Sequence, residues 1–466
     1  MWAALWHAAE RAPMASLRAQ LWRAERAVQD AVMRRAAPAP KEEAFVYLGI
    51  DEPNYAYRFR PEELASAPGA GLLAADYPWS REVWALLLDK LMAAGARGVA
   101  FDLLLVSPGR GDEALAAALA RHEGKVVLGS SLDVPAPGAA PLLTWPADSV
   151  TDALEDSVAA SAAVTFFPDR DAVVRHSRRM IRLLTHDQPT LAAQLAALAR
   201  EGKVDDASKV VTTDLEPRRF RFGGPSGTYA PIPLYQVFSP MLWRTNLKDG
   251  AVFRDKVVIV GPAAAWTQDL RRTAAAELMF GPEVHLHAAA AELNDAYIAE
   301  PGHDFTLGLI VATGFVVGLL FCLVEQPWWR TGLLLAVNAG AITLALTLYT
   351  RAGVMVALLP VLGALNTGGA LCLVQKFFST YLEKRRTRAM LERYVSHNFV
   401  SAVLGSAEKF EESLGGARRR CTMLFSDIRG FTTMTEAADS QALVAQLNEY
   451  LGEMVECVFR HEGTLD

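Results

Sequence analysis

The 466-residue chain has no cysteine in its first 321 positions; its four are Cys322, Cys372, Cys421 and Cys457. That excludes a disulfide framework from more than half of the chain, and no Cys/His spacing reads as a zinc site. If that region is exported, it folds on its hydrophobic core alone. A basic excess is missing too: 46 Lys and Arg stand against 52 Asp and Glu, a formal net charge of −6. A nucleic-acid partner would need a basic footprint, so none is expected, and any membrane or partner signal has to be local. Residues 1–40 also lack an unbroken apolar run, because Glu10, Arg11, Arg18, Arg23, Glu25 and Arg26 interrupt each candidate. Neither an export signal nor a span is legible there. Leu17, Leu21, Val28 and Val32 suggest an amphipathic helical lead-in instead.

What is present begins with three uncharged apolar stretches, 305–324 ("FTLGLIVATGFVVGLLFCLV"), 331–350 ("TGLLLAVNAGAITLALTLYT") and 354–374 ("VMVALLPVLGALNTGGALCLV"). Each is about 20 residues, enough at roughly 1.5 Å per residue for a hydrocarbon core of about 30 Å. Buried helices of a soluble domain seldom run so long without a charge, so three transmembrane helices in a lipid bilayer are predicted. Lys376, Lys384, Arg385, Arg386, Arg388 and Arg393 follow the third stretch. The first connection carries Arg330 beside Trp328 and Trp329, and the second only Arg351. This bias predicts that everything after the third span is cytoplasmic, in a multi-pass protein of the plasma (inner) membrane. Counting back places residues 45–300 outside the cytoplasm. A domain there needs a signal or span ahead of it, so a further span upstream of Met1 is expected.

The N-terminal half reads as mixed α/β. "AFVYLGI" before Asp51, "RGVAF" before Asp102, "KVVLG" at 125–129 and "KVVIVG" at 256–261 are continuous β-branched runs. Strands covered on both faces look like this. Between the first two lies "SREVWALLLDKLMAAGA", which Ser80 can cap and Gly95 can end, with Val83, Leu87, Leu88 and Leu91 at helical spacing. Strand, helix, strand implies a right-handed parallel crossover. Asp51 and Asp102 each fall where a strand ends, the usual ligand side of an open α/β sheet, and are the sensor-site candidates. A cap on the following turn is the simpler role for each. His285 and His287 would share a face on a strand but not on a helix, and a structural role is expected for them.

"GIDE" at 49–52, "YPWSREVWALLLDKLMAAGARGVAFD" at 77–102, "KVVLG", "DRDAVVR" at 169–175, and "LKDGAVFRDKVVIVG" running on to "GPEVHLHAAAAELN" occur in that order. Together they resemble the CHASE sensor domain of the second type, an extracytoplasmic module found ahead of cyclases and kinases. The resemblance covers roughly residues 40–300. It implies reception of an extracytoplasmic ligand of unknown identity and assigns no catalytic residue.

After the last span, "YLEKRRTRAMLERYVSHNFVSAVLGSAEKFEESLGG" reads as a charged helical linker over 376–416. Leu382, Met390, Tyr394 and Val395 are loosely spaced for a short coiled coil. "CTMLF" then reads as a strand ending near Asp427. "IRGFTTMTEAADS" turns through Gly430 into a helix capped by Asp439 or Ser440, with Leu443, Leu447, Leu451, Met454, Val455, Val458 and Phe459 on one face. A rigidly held carboxylate suits a hard cation, and N–H groups around Gly430, Phe431 and Thr432 could face phosphates.

"RRRCTMLFSDIRGFTTMTE" followed by "LVAQLNEYLGEMVECVFRHEGTLD" resembles the opening of class III nucleotidyl cyclase catalytic domains, an α+β ferredoxin-like fold. "RYVSHNFVSAVL" resembles the linker of membrane sensor cyclases, with His397 where a proline is common. The resemblance implies that Asp427 binds two catalytic Mg2+ or Mn2+ ions and that the carbonyl of Ile428 assists. It also implies that Gly430, Phe431 and Thr432 line the triphosphate of ATP, and that the active form is a homodimer. The family's second metal aspartate, its base-selecting residues and its transition-state asparagine and arginine would fall beyond Asp466. Within 417–466 the resemblance therefore implies no catalytic residue besides the metal ligand, and this polypeptide is expected to be inactive by itself. The reading is a membrane sensor adenylate cyclase, a phosphorus–oxygen lyase, with guanylate specificity open. A non-catalytic receptor with a degenerate cyclase stub is the alternative. A transporter ranks behind both, because the spans carry no charge to line a path.

Overall fold

A computed structural model describes residues 17–391 and 420–465, except 37, 76, 134–141, 184–186, 206–214, 325, 421, 438, 462 and 464. The chain divides into two compact units, Met1–Leu320 with Thr331–Asn366, and Phe321–Arg330 with Thr367–Asp466.

The larger unit is built on a seven-stranded sheet. Its order runs Ile232–Pro233, Phe45–Ile50, Val257–Pro262, Gly98–Leu104, Val126–Asp133, Leu142–Thr144, with Ser161–Ala163 also pairing with Val126–Asp133. All pairings are parallel except that of Leu142–Thr144. Phe45–Ile50 and Gly98–Leu104 therefore run parallel, as expected, with Val257–Pro262 between them. Alternation within each strand sends side chains into two cores. Leu48, Val99, Phe101, Leu128, Val258 and Val260 pack with Leu87, Leu88 and Leu91 of helix Glu82–Ala93. Tyr47, Ala100, Val127, Val257 and Ile259 pack against helices Leu191–Glu201 and Gly281–Leu293. Burial on both faces is why these strands read as unbroken apolar runs. Helix Glu82–Ala93 starts later than expected. Ser80 sits one residue before its N-cap, Arg81, and its Oγ accepts from the Glu82 N–H at 3.4 Å. Gly95, at φ +88°, ends the helix as anticipated.

The lead-in helix, Leu17–Arg35, buries a different face from the one its leucines and valines suggested. Trp22, Glu25, Gln29, Asp30 and Met33 point inward, while Leu21, Val28 and Val32 are half-buried. The polar face wins because its partners lie across the interface, as described below.

Among the described residues three helices are long and apolar enough to cross a membrane: His303–Leu323, Pro327–Ala352 and Leu358–Leu391. The third does not begin at Val354 as expected. Gly353 (φ +64°) breaks the chain there, and Ala299 and residues 353–355 exchange backbone hydrogen bonds of 2.8 and 2.9 Å. Helix three then continues through Lys384, Arg385, Arg386 and Arg388 to Leu391, so the first part of the linker is helical. Tyr394, Val395, His397 and the rest of 392–416 lie outside the described residues. Asn338 and Asn366, on the second and third apolar helices, pair through Nδ2–H to Oδ1 at 2.9 Å. Such amide pairs serve as polar glue between helices.

In the smaller unit the strand expected over 421–425 is not formed. Cys421 lies outside the described residues, and residues 422–428 carry no regular structure. Met423, Leu424 and Phe425 are 77%, 82% and 91% exposed. A strand is stabilised by its ladder, and no strand pairs with this run among the described residues. The local elements after it do form: helix Phe431–Ala437, and helix Ser440–Arg460 capped by Asp439, whose carboxylate accepts from the Ala442 N–H.

Candidate functional site

Asp102 lies within strand Gly98–Leu104 rather than at its end, and its side chain lines a cavity of about 430 Å³ at the carboxyl ends of the sheet. Asp269, Arg271, His285, Phe166 and Ser131 share that cavity. Burial, and then the charge of Asp269, push the Asp102 carboxyl well above the usual range, while Arg271 pulls it down. Burial likewise raises Asp269, against its 3.0 Å ion pair with Arg271. His285 is held neutral, because burial pushes it down to about 3. Its Nε2–H donates to the Val164 carbonyl at 3.2 Å, and its ring stacks on Phe166 with centroids 4.2 Å apart.

Asp51 does not join this cavity. It caps the short helix Glu52–Ala56, accepting from the Asn54 N–H at 3.3 Å, and Asn54 in turn ties Gly49 to Tyr235. Burial raises its carboxyl to about 6 despite those hydrogen bonds. The two candidates from the sequence thus separate, one into a capping role and one into a pocket. His285 and His287 sit on helix Gly281–Leu293, two residues apart, and face different surroundings. His287 accepts at Nδ1 from the Gly223 N–H at 3.1 Å, beside Phe222 and Tyr229. It is structural.

A second cluster was missed from the sequence. Arg175 spends all five N–H donors on carboxylates: two bonds to Asp30, one to Asp169 and two to Asp171, at 2.7–2.9 Å. Arg219, also fully buried, bonds Glu300 and Gln29 at 2.8 Å, with Asp30 at 3.4 Å. His176 stands between Asp169 (3.0 Å) and Glu300 (3.2 Å). From the same face of the lead-in helix, Glu25 accepts from the Leu358 and Leu359 N–H groups at 2.9 and 2.7 Å. These are the first N–H groups of the third apolar helix, where an acceptor is needed. One polar face therefore joins the α/β domain to the start of the helix that leads out of it. "DRDAVVR" carried a local signal in two aspartates four and six residues before an arginine. The partners at Asp30 and Glu300 are too distant in sequence to foresee.

In the smaller unit, Asp427 is exposed and its Oδ1 accepts from the Ile428 N–H at 2.8 Å. Gly430 takes φ +78°, and the chain turns into Phe431 and Thr432, with the Phe431 N–H donating to the Ile428 carbonyl at 3.3 Å. The five residues are adjacent in space as in sequence. They supply one carboxylate and one carbonyl, and among the described residues no group of three or more acidic, His or Cys side chains could hold a metal ion. A two-metal centre is not completed by this donor set.

The CHASE2 domain family matches residues 4–323, and the chain belongs to that family. The match takes in the lead-in and the first apolar helix as well as the α/β fold. Over 82 residues the chain is also 33% identical to an adenylate cyclase of Anabaena cylindrica, covering 18% of this chain and 16% of that one. This chain thus corresponds to a small part of that relative's length. No solved structure matches.

Proposed function

We propose that the chain is the sensing and membrane-spanning part of a membrane-bound nucleotidyl cyclase, with its CHASE2 domain outside the cytoplasm and its C-terminal segment inside. The carrying observation is the order of parts in one polypeptide: a CHASE2 domain, three apolar helices, a basic stretch and the "LFSDIRGFT" run. The relatedness to an adenylate cyclase favours conversion of ATP to cyclic AMP and pyrophosphate, in a homodimer in the inner membrane. Asp427 and the Ile428 carbonyl would hold Mg2+ or Mn2+, whose charge would neutralise the triphosphate, and Gly430, Phe431 and Thr432 would line the phosphates. The domain's grip on the third apolar helix, through Glu25, gives a signal a mechanical route toward that segment. Because the donor set here holds a single carboxylate, a receptor that dimerises without catalysis is the second reading.

The test joins residues 1–466 to the remainder of a class III catalytic domain and assays membranes with ATP and manganese. Cyclic AMP synthesis is expected, and Asp427→Asn should reduce turnover by roughly two orders of magnitude or more. Turnover unchanged in Asp427→Asn would refute the metal role; no synthesis in a folded chain would favour the receptor reading. Sidedness is checked separately. With the gene's upstream sequence included, an alkaline phosphatase fused after Ala296 should be active, and a fluorescent protein fused after Arg393 should glow, and the reverse pattern would overturn the topology.

A further inference from the structure

The cavity at the carboxyl ends of the sheet contains a carboxylate that no described residue answers with a hydrogen bond. Asp102 is nine-tenths buried, lines the cavity, and its Oδ2 receives no hydrogen bond. A buried carboxylate without a donor is costly unless a ligand on its cavity side supplies one. The nearby His285 Nε2 is 4.0 Å away and already donates to the Val164 carbonyl. Asp269 presents a second carboxylate to the same space, with one ion pair to Arg271 at 3.0 Å. Two glycines make this arrangement possible. A β-carbon at position 281 would collide with the Asp269 carboxylate, and one at 261 would press on Cβ of Asp102. At about 430 Å³ the space is of small-molecule size, with Phe166 as an apolar wall.

Charge and geometry narrow the ligand class. In the empty site burial and Asp269 favour a protonated Asp102, which leaves Asp269 balanced by Arg271; a cation arriving beside Asp102 favours its ionised form, and two negative charges then face Arg271 and the single charge of the ligand. A divalent ion would require six or more oxygen ligands at fixed short distances. Among the described residues no group of three ligating side chains is placed to provide them. An ammonium group needs only acceptors around its N–H bonds and gains from an aromatic ring beside its cationic end.

We propose that this cavity binds a small organic ammonium ion, its N–H donors shared between Asp102 and Asp269 and its carbon body lying along Phe166. That such an ion is the domain's signal rests on the sensor reading above; the binding itself does not depend on the cyclase.

The experiment titrates the full chain in lipid nanodiscs by calorimetry with ethanolamine and benzylamine, and with magnesium chloride and sodium acetate as controls. Saturable binding of at least one amine is expected, with no binding of acetate. Asp102→Asn keeps the shape but cannot ionise to meet a cation, and should weaken amine binding by about ten-fold or more, with Asp269→Asn acting in the same direction. Unfolding temperatures of both variants near that of the parent chain establish that the loss is local. Amines that fail to bind, an Asp102→Asn variant that binds as tightly as its parent, or saturable magnesium binding lost in Asp102→Asn would each overturn the proposal. Because no cyclic nucleotide is measured, failure here leaves the cyclase reading standing, and an inactive cyclase leaves this binding intact.

Discussion

Two groups of buried charge in the same domain are built in opposite ways. Around Arg175, three carboxylates and a guanidinium meet in five hydrogen bonds, and every donor of the arginine is used. Around Asp102, a carboxylate of similar burial keeps one oxygen without a donor among the described residues, beside a cavity. Desolvating a charge is costly in both places, but only the first group recovers the cost within the protein. The first fixes the lead-in helix against the domain. The second keeps its capacity for something that arrives. A saturated cluster marks structure, and an unsaturated one beside open volume marks a site.

The sharpest way to break this contrast is to remove the cation from the saturated cluster. Arg175→Met leaves Asp30, Asp169 and Asp171 facing one another without their common donor. Losing one partner of a buried ion pair costs about 3–5 kcal/mol. Denaturant unfolding of the domain, followed by tryptophan fluorescence, should show a loss of that size. Arg175→Lys should recover only part of it, because a point ammonium cannot fork to three carboxylates. A loss below about 1 kcal/mol, the level of an exposed pair, would mean that the cluster is not what holds the lead-in helix.

Next in size is the link to the third apolar helix. Glu25→Ala removes the acceptor for the Leu358 and Leu359 N–H groups. Orphaned N–H groups at a helix start should cost about 1–3 kcal/mol locally. Hydrogen exchange at residues 358 and 359 should accelerate while that of strand Val257–Pro262 stays slow. Equal acceleration in both would show that Glu25 supports the whole domain rather than this junction.

The part of the cluster around Arg219, whose Nε–H finds no acceptor among the described residues, should carry a pH signature through His176 and Glu300. Burial lowers the His176 pKa, but its hydrogen bonds and charge interactions with Asp169 and Glu300 outweigh that and leave it raised. Its contribution is therefore complete below the unfolded value, about 6.5, and is lost as pH rises through the higher folded value. Burial alone would raise Glu300, yet His176, Arg26 and Arg219 hold it far below the carboxylate range. Its contribution is present above the unfolded value, about 4.3, and fades as pH falls toward the folded one. Stability should peak between these limits, near pH 5–6.5 by this reasoning. In His176→Gln the loss on the alkaline side should disappear while the acid limb remains, and an unchanged alkaline limb would remove His176 from the account.

The unsaturated site predicts a smaller effect of opposite sign. Asp102→Asn replaces a carboxyl that burial and Asp269 have already driven toward its neutral form. Without ligand, stability at pH 7 should be unchanged or higher by up to about 1 kcal/mol. A loss comparable to that of Arg175→Met would show that Asp102 is a structural charge and would erase the contrast.

How much of this was legible in the sequence depended on range. The β-branched runs before Asp51 and Asp102, and the helix between them, announced a parallel sheet because each element is encoded by contiguous residues. Three charge-free stretches announced the apolar helices for the same reason. Asp102 could be singled out from its place near a strand's end, but Asp269 could not, since only the fold brings it beside a residue 167 positions earlier (269 minus 102). The lead-in helix shows the opposite failure. Its leucine and valine stripe looked like a buried face, whereas Glu25, Gln29 and Asp30 are the buried ones. Hydrophobic periodicity ranks faces by transfer from water and has no knowledge of Arg175, Arg219 or the Leu358 N–H, which reverse the ranking.

The smallest expected effect sharpens the comparison from the other end of the chain. Phe425 belongs to a run with strand composition that forms no strand, and it is 91% exposed. Phe425→Ser in the 466-residue chain removes a ring that buries almost nothing, so stability should move by no more than about 0.5 kcal/mol. The same substitution in a chain joined to the rest of a class III catalytic domain is a different experiment. There the run would gain ladder partners and a core, and loss of a buried phenylalanine costs about 3–5 kcal/mol. Thermal unfolding of the two pairs measures the difference directly. If the two costs agree near zero, the run is not a cyclase strand, and the resemblance of "LFSDIRGFT" to a metal-binding strand end loses its physical basis. If they differ by several kcal/mol, the exposure of Phe425 measures the burial that the catalytic fold supplies, and Asp427 two residues later gains the rigid support that a metal ligand requires.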